Sequence, residues 1–416
     1  MNVRNPSRRT PLRFGKYLLV ERIAVGGMAE VFLAVQAGVE GFEKTVALKR
    51  IRPILSEKDA FVQMFLFEAK LAAQLHHPNI VQIYELGEIA DNYFIAMEYV
   101  SGRDMSRVIP KAEKLGITYP LEYAMLVASN VLEGLAYAHE KLDDFGKPLN
   151  LVHRDVTPEN IMVGWNGHVR LLDFGIAKAS SRTDATRVGE IKGKLSYMSP
   201  EQAAGKSLDQ RSDLFTLGVV LYEWVTGYKL FTGENEMAVL KAICDSHIYP
   251  PAYFRDDVPA GVEEIVMKAL AKDPDDRYQT ARDMLFAVQY WLQTGSDFTP
   301  TSSHLANFMK QIFADEIEQE RTALAAAAEA RARRTPPPIP SDARAMAPQL
   351  GEELGRSKSA QGQALIVVAS ADDAAEDIHV ALDADELDQL RAAASRAGVA
   401  PADMIRELLL TTLKFT

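Results

Sequence analysis

The first groups in this sequence that could do chemistry are a lysine and a glutamate. Lys49 ends the apolar run 46–49, and Glu68 follows on a stretch with helical periodicity. A strand lysine that points into a fold must be paired with a carboxylate, because burial would otherwise remove its charge. The sequence therefore predicts an ion pair between Lys49 and Glu68.

Three oxygen-bearing side chains follow in two short turns. Asp155 and Asn160 lie in the run His-Arg-Asp-Val-Thr-Pro-Glu-Asn over residues 153–160, and Asp173 lies in Leu-Leu-Asp-Phe-Gly over 171–175. Mg²⁺ prefers such oxygen ligands and takes nucleotide phosphates as the remainder of its shell. Because the lysine, the glutamate and both acidic turns occur in one order, we reject the alternative of two unrelated acidic turns.

A turn of small residues precedes these groups. It reads Ile-Ala-Val-Gly-Gly-Met-Ala-Glu-Val over residues 23–31, between two strand-like runs. Small side chains let backbone N–H groups approach phosphate oxygens closely. Alone, the turn could equally be a hairpin with a flexible tip, so its interpretation as a phosphate loop depends on the groups that follow it.

Composition and charge limit the class of protein. The chain has 416 residues, of which 47% are apolar and 25% charged, as in a globular protein of two or three folded units. Its net charge of −11 gives no general basic surface for nucleic acid or anionic membrane. The single cysteine, Cys244, excludes an intramolecular disulfide. Without a signal peptide or a membrane-length apolar run, we expect a cytoplasmic protein that does not contact a membrane.

Apolar periodicity predicts one large folded body over residues 17–292, in which a small β-rich part precedes a larger α-rich part. The predicted strands are 17–24, 31–35, 45–50, 81–86 and 93–99, and the predicted helices are 59–75, 123–140, 213–226, 261–271 and 281–291.

Segments of different character flank this body. Residues 1–16 are an N-terminal extension, and 293–334 are predicted to be an amphipathic and then alanine-rich helical extension. Its apolar stripe is expected to pack on a neighbouring surface rather than to bind a ligand. The proline-bearing stretch 335–376 is predicted to be a disordered linker, followed by a compact segment over 377–416.

The motifs over 17–292 resemble the catalytic domain of the bacterial eukaryotic-like, or Hanks-type, Ser/Thr protein kinases. The run Ser-Pro-Glu at 199–201 is similar to the motif that closes the kinase activation segment, and Arg277 matches the arginine that pairs with its glutamate. Asp213 matches the aspartate that opens a long helix. The resemblance implies an α+β bilobal fold, ATP and Mg²⁺ as cofactors, and proteins as substrates.

The resemblance also implies a role for each group. Asp155 would accept the proton of the substrate hydroxyl, while Lys49, held by Glu68, would bind the α- and β-phosphates. Asn160 and Asp173 would hold Mg²⁺. The positions implied to contact the nucleotide are Ile23, Ala24, Val25, Gly26, Gly27, Met28, Ala29, Glu30, Val31, Ala47, Lys49, Met97, Glu98, Val100, Asp104, Met162 and Asp173.

Within that set, the segment 97–104 would bind the nucleoside. Met97 is the expected gatekeeper, and the backbones of Glu98 and Val100 would pair with adenine. Asp104 would reach the ribose.

The sequence departs from the family pattern at four positions. Ala24 and Ala29 stand where glycines are usual, so we expect a stiffer loop and weaker nucleotide binding. Thr157 replaces the usual lysine after Asp155, and Lys194 replaces a threonine of the activation segment. We expect Lys194 to supply the missing ammonium group beside Asp155. The alternative is that Lys194 is a solvated surface lysine.

Arg154 is the type of residue that docks a phosphorylated activation loop. The loop offers four acceptors, of which the two threonines are the expected autophosphorylation sites: Ser180, Ser181, Thr183 and Thr186. The competing interpretation is a catalytically weak nucleotide-binding scaffold, a pseudokinase, suggested by the departures at Ala24, Ala29 and Thr157. Against it stands the retention of all five chemical groups: Lys49, Glu68, Asp155, Asn160 and Asp173.

The segment 377–416 resembles a ribbon-helix-helix module, with a strand over 377–382 and helices over 384–397 and 401–413. We expect DNA binding to be absent, because the exposed strand face carries Asp377, His379 and Ala381. Since so small a unit buries little surface alone, we expect a homodimer through this tail. The alternatives are folding back onto the kinase domain or binding another protein.

Overall fold

A computed structural model describes residues 12–37, 43–52, 55, 59–90, 92–174, 195–296, 298–332, 364–368 and 378–382, and the single positions 392 and 395. The chain divides into two compact units, Met1–Ala327 and Ala328–Thr416. The first unit contains the body predicted over 17–292.

The first unit begins with a six-stranded antiparallel sheet in the order β1-β2-β3-β4-β6-β5. Side chains alternate between the two faces of the sheet. Ile95 packs with Phe65 and Ala69 of helix α1 on one face, whereas Phe94 packs with Tyr17 of β2 on the other. β1 lies within the segment 1–16 that the sequence left as an extension. The elements are β1 Leu12–Phe14, β2 Tyr17–Val25, β3 Ala29–Ala37, β4 Glu43–Ile51, α1 Asp59–Ala72, β5 Ile83–Ile89 and β6 Asn92–Glu98.

A helical part with a small three-stranded sheet follows, so the fold is the bilobal α+β arrangement that the resemblance implied. Its core is built on α3 and α5, whose residues are buried on nearly every side. The elements are β7 Gly102–Asp104, α2 Met105–Lys114, α3 Leu121–His139, β8 Ile161–Gly164, β9 Val169–Leu171, α4 Pro200–Ala203, α5 Arg211–Thr226, α6 Glu236–Asp245, α7 Ala260–Ala269 and α8 Ala281–Thr294.

Two further helices, α9 Ser302–Ile312 and α10 Ala314–Ala332, form the predicted helical extension. The apolar stripe of α9 is buried in the same core as α3 and α5, as expected for a helix that packs on a neighbouring surface. Gly167 makes this contact possible: its φ is +77°, and an added Cβ would lie 1.9 Å from the Ser302 carbonyl oxygen. None of the helices described is long and apolar enough to cross a membrane.

In the second unit, β10 Ala364–Val368 pairs antiparallel with β11 Ile378–Leu382. The strand predicted over 377–382 is present. However, its partner β10 lies inside the segment 335–376 that was predicted to be a disordered linker, so this strand was not predicted. The signal was the apolar run at 364–368, whose β-branched residues favour a strand.

This hairpin gives no support to a ribbon-helix-helix module, because the strand already has a partner in its own chain. Apart from positions 392 and 395, which are helical, the two helices predicted over 384–397 and 401–413 lie outside the described residues.

Candidate active site

The predicted ion pair between Lys49 and Glu68 is present. Lys49 Nζ donates to Glu68 Oε1 at 3.1 Å and to Asp173 Oδ1 at 2.9 Å, so β4, α1 and the turn after β9 meet at one ammonium group. Burial alone would lower the pKa of Lys49, but the carboxylates of Asp173 and Glu68 outweigh it and raise that pKa. Lys49 therefore stays charged near neutral pH.

Asp155 and Asn160 are held together by a short 3-10 turn, Pro158–Asn160. The Asp155 carbonyl oxygen accepts two hydrogen bonds, from the Thr157 N–H at 3.0 Å and from Asn160 Nδ2 at 2.8 Å. Because the amide nitrogen of Asn160 is used in this way, its Oδ1 is the end left to act as a ligand. Asp155 itself is buried.

The two acidic turns are joined through Leu172, which neighbours Asp173. The Leu172 N–H donates to the Asn160 carbonyl at 2.8 Å, and the Leu172 carbonyl contacts His153 Nε2 at 2.8 Å. Burial lowers the pKa of His153, so its ring is neutral. A carbonyl can only accept, so Nε2 carries the proton, and Nδ1 accepts the Asp155 N–H at 3.2 Å. The neutral His153 ring therefore lies between the turn of Asp155 and the turn of Asp173 and hydrogen-bonds to both.

A fully buried carboxylate stabilises the backbone of the turn that leads to Asp155. Asp213, in the first turn of α5, accepts the N–H groups of His153 at 2.8 Å and Arg154 at 2.7 Å, and contacts His139 Nε2 at 2.8 Å. Arg154 has a φ of +67°, which is strained for a residue with a side chain. The two hydrogen bonds to Asp213 hold the backbone in this conformation.

The predicted pair of Glu201 and Arg277 is also formed. Arg277 donates through Nη1 and Nη2 to the two oxygens of Glu201, at 2.8 and 3.0 Å, and both residues are buried. Gln202, next to Glu201, donates from Nε2 to the Arg154 carbonyl at 3.0 Å. The end of the activation segment is therefore anchored both to the helical core and to the turn of Asp155.

The small-residue turn lies between β2 and β3, closed by a hydrogen bond from the Gly26 N–H to the Ala29 carbonyl at 2.8 Å. Neither Ala24 nor Ala29 has positive φ, so the strain that an alanine could bring to a glycine position is absent here. Ala29 is buried against α1. A further brace was not predicted from the sequence: Glu30 pairs with Arg22 at 2.7 Å and with Arg50 at 3.3 Å.

Strand pairing places several of the other predicted nucleotide positions opposite one another. Val31 lies opposite Lys49, Ala47 opposite Met97, and Asp104 opposite Met162. Of the remaining members of the predicted turn, Ile23 and Val25 lie at the end of β2, and Gly27 and Met28 lie within the closed turn before β3.

The segment after β6 crosses between the two parts of the fold. The Glu98 N–H donates to the Gln82 carbonyl at 2.8 Å, and its carboxylate pairs with Arg170 at 3.0 Å. Val100 follows in the connection and is half-buried. Asp104 pairs with Arg107 at 3.2 Å at the start of α2.

Several predicted positions lie outside the described residues, which omit 175–194. These positions are Lys194, Ser180, Ser181, Thr183 and Thr186. Beside that segment, the Thr157 hydroxyl is buried and has no hydrogen-bond partner among the residues that the structure describes.

Comparison with known proteins identifies the class that this fold and site define. A family model described as the protein kinase domain matches residues 17–290. The chain therefore belongs to the protein kinase family.

Named relatives place it among bacterial kinases. The chain is 45% identical over 314 residues to the tyrosine-protein kinase MasK of Myxococcus xanthus, covering 75% of this chain and 48% of that protein. It is 37% identical over 270 residues to the serine/threonine-protein kinase PrkC of Bacillus subtilis, covering 65% and 39%. The chain thus spans less than half the length of these relatives. The crystal structure of a single-residue mutant of the PknI kinase domain of Mycobacterium tuberculosis matches with a TM-score of 0.51 at 26% identity, covering 68% of this chain and 98% of that one.

Proposed function

We propose that this protein transfers the γ-phosphate of ATP to serine or threonine residues of proteins in the cytoplasm. The observation that supports this most directly is the meeting of Lys49, Glu68 and Asp173 at one ammonium group, joined through His153 to the turn of Asp155. In the reaction, the bond between the γ-phosphorus and its bridging oxygen breaks, and a bond to the substrate oxygen forms. The hydroxyl proton goes to the Asp155 carboxylate.

The residues present fit a magnesium ion. The Asn160 amide is oriented by its bond to the Asp155 carbonyl, and the side chain of Asp173 is 42% exposed. We call the region around Lys49, Asp155, Asn160 and Asp173 the cleft. We propose that these two hold Mg²⁺, which would neutralise phosphate charge when bound. Lys49 adds a fixed positive charge for the phosphates.

The test is incorporation of radiolabelled phosphate from ATP into protein, comparing the wild type with Asp155→Asn. We expect the variant to lose at least a hundredfold in rate while it still binds ATP, because only the proton acceptor is removed. If the wild type binds ATP and incorporates no phosphate, the pseudokinase interpretation is correct.

Tyrosine is a second candidate acceptor. MasK, a relative named as a tyrosine-protein kinase, is 45% identical to this chain. In addition, Thr157 departs from the lysine usual in the serine/threonine kinases that the sequence resembles. Acid hydrolysis of the phosphorylated protein, followed by separation of phosphoserine, phosphothreonine and phosphotyrosine, decides between the acceptors.

We also propose that activity requires autophosphorylation of the loop that holds Thr183 and Thr186. The support is Arg154, whose buried Nε has no hydrogen-bond partner among the described residues and which adjoins Asp155. A phosphate group would give this guanidinium an acceptor. Phosphosite mapping of active enzyme should find a modified threonine in this loop, and an unmodified loop would contradict the proposal.

Homodimerisation through the tail remains a proposal. A two-stranded hairpin such as β10–β11 is marginally stable by itself, so it needs a partner surface, and a second copy of the chain is the one we propose. Sedimentation of the full chain should give a dimer, and a chain ending at Ala332 should give a monomer. Equal sedimentation states for the two would exclude dimerisation through the tail.

A further inference from the structure

The carboxylate of Glu320, on α10, lies against the hinge segment, which we define as residues 99–101. Tyr99 Oη donates to Glu320 Oε1 at 2.8 Å, and Ser101 Oγ donates to the same oxygen. These two donors flank Val100, the residue expected to pair with adenine. The contacts join positions more than two hundred residues apart in sequence.

The other oxygen of Glu320 contacts the helical part of the fold. Trp165 Nε1 donates to Glu320 Oε2 at 3.0 Å, and Arg103 Nη1 lies 3.8 Å from it. The backbone N–H of Trp165 also donates to the Ser101 carbonyl at 2.9 Å. One carboxylate thus receives donors from the hinge and from the turn after β8, and its side chain is only 8% exposed.

The rest of α10 supports this placement. Glu316, one helical turn before Glu320, pairs with Lys111 of α2 at 2.9 Å and with Arg103 at 3.4 Å. Phe313, between α9 and α10, is buried and packs on the Trp165 ring with centroids 5.5 Å apart. The helix therefore contacts both the hinge segment and the part of the fold that follows it.

We propose that Glu320 is a positioning residue for the nucleotide, which fixes the hinge so that Val100 meets adenine. This inference rests on the proposed function, since it assumes that the cleft binds ATP. A carboxylate that accepts from both neighbours of Val100 restricts the backbone between them, so the hinge is preorganised before the nucleotide arrives. The free-energy gain then appears in nucleotide affinity rather than in the chemical step.

The match to MasK extends beyond the kinase domain. It covers 75% of the chain, which is more than the stretch 17–290 matched by the kinase family model. Part of the sequence outside the kinase domain is therefore shared with that relative.

The test compares Glu320→Gln with Glu318→Gln in the full chain. Both substitutions remove one negative charge from α10, but the Glu318 side chain is 70% exposed and pairs with Arg321 at 3.9 Å. A glutamine at 320 keeps one acceptor oxygen and cannot accept from both the hinge and Trp165. We expect the dissociation constant of adenosine and the KM for ATP both to rise about tenfold, with kcat within about twofold of wild type. The Glu318 variant should match wild type.

Adenosine is the informative probe because it lacks phosphates, so calorimetry reports the hinge contact without phosphoryl transfer. Unchanged adenosine affinity in Glu320→Gln, or a fall in kcat at constant KM, would overturn the proposal. A wild type that binds adenosine but transfers no phosphate contradicts the proposed reaction. The comparison of adenosine affinities then still tests the role of Glu320. If Glu320→Gln does not fold, Trp165→Phe removes one donor from Glu320 and should weaken adenosine binding by a smaller factor, whereas unchanged binding would count against the proposal.

Discussion

Two regions next to the turn of Asp155 differ in how their polar groups are satisfied. One is the cleft, and the other, which we call the support, consists of Asp213, Glu201 and their hydrogen-bond donors. In the support, the carboxylates of Asp213 and Glu201 are buried and accept from fixed donors, two of them backbone N–H groups. In the cleft, Asp173 keeps an exposed side chain and Asn160 keeps an amide oxygen for a ligand. The support fixes a strained backbone, and the cleft leaves groups that an incoming charged molecule can complete.

The largest effect should come from breaking the support. Replacing Arg277 with Ala leaves Glu201 buried without its partner, which should cost about 3 to 5 kcal/mol of unfolding free energy. The matched control is Arg282→Ala, whose pair with Glu140 is exposed to solvent and should contribute far less to stability. Chemical denaturation of both variants measures the difference. Equal losses would mean that burial does not separate the two pairs.

The next effect concerns the cleft and the departure at Thr157. If Lys194 supplies the ammonium group beside Asp155, Lys194→Ala should lower turnover about a hundredfold with ATP affinity nearly intact, because the charge acts on the transferring phosphate. The buried Thr157 hydroxyl, which has no hydrogen-bond partner in the part of the chain that the structure describes, supports this proposal. The control is Lys206→Ala, at an exposed position after α4. Turnover equal to wild type in the Lys194 variant would show that it is a solvated surface lysine.

Protonation offers a third and smaller test. Burial lowers the pKa of His153 in the folded protein, so the unfolded chain binds a proton there more readily. The stabilising contribution of the neutral ring is complete above the ordinary histidine pKa of about 6.5 and is lost as the pH falls below it, by up to about 1.4 kcal/mol per pH unit.

Denaturation of wild type and His153→Phe between about pH 7 and 5 checks this prediction. The wild type should lose stability more steeply than the variant as the pH falls. His247→Phe, at an exposed position, should keep the wild-type slope. Parallel curves for wild type and His153→Phe would exclude a neutral buried ring.

The sequence predicted the cleft better than what surrounds it. The pair Lys49–Glu68 could be predicted because a buried lysine requires a partner, and the pair Glu201–Arg277 because both residues match motifs of the kinase family. The contacts of Glu320 could not be predicted, because α10 has no apolar stripe and its polar partners are remote in sequence. Strand β10 was missed because the whole stretch 335–376 was interpreted from its prolines as a linker. The strain at Arg154 has no local sequence signal, since Asp213 imposes it from another element.

The two alanines of the nucleotide turn repeat the contrast on a small scale. Ala24 is exposed, whereas Ala29 is buried against α1 in a cluster with Ile51 and Phe65. Ala24→Gly should therefore free the loop and tighten ATP binding by about two- to threefold, with little change in stability. Ala29→Gly removes buried methyl contacts and should cost about 1 kcal/mol of unfolding free energy. Isothermal titration with ATP and chemical denaturation of both variants separate the two effects. If Ala24→Gly binds ATP no more tightly than wild type, the alanine does not limit the nucleotide loop, and the brace of Glu30 with Arg22 and Arg50 becomes the better explanation for a stiff turn.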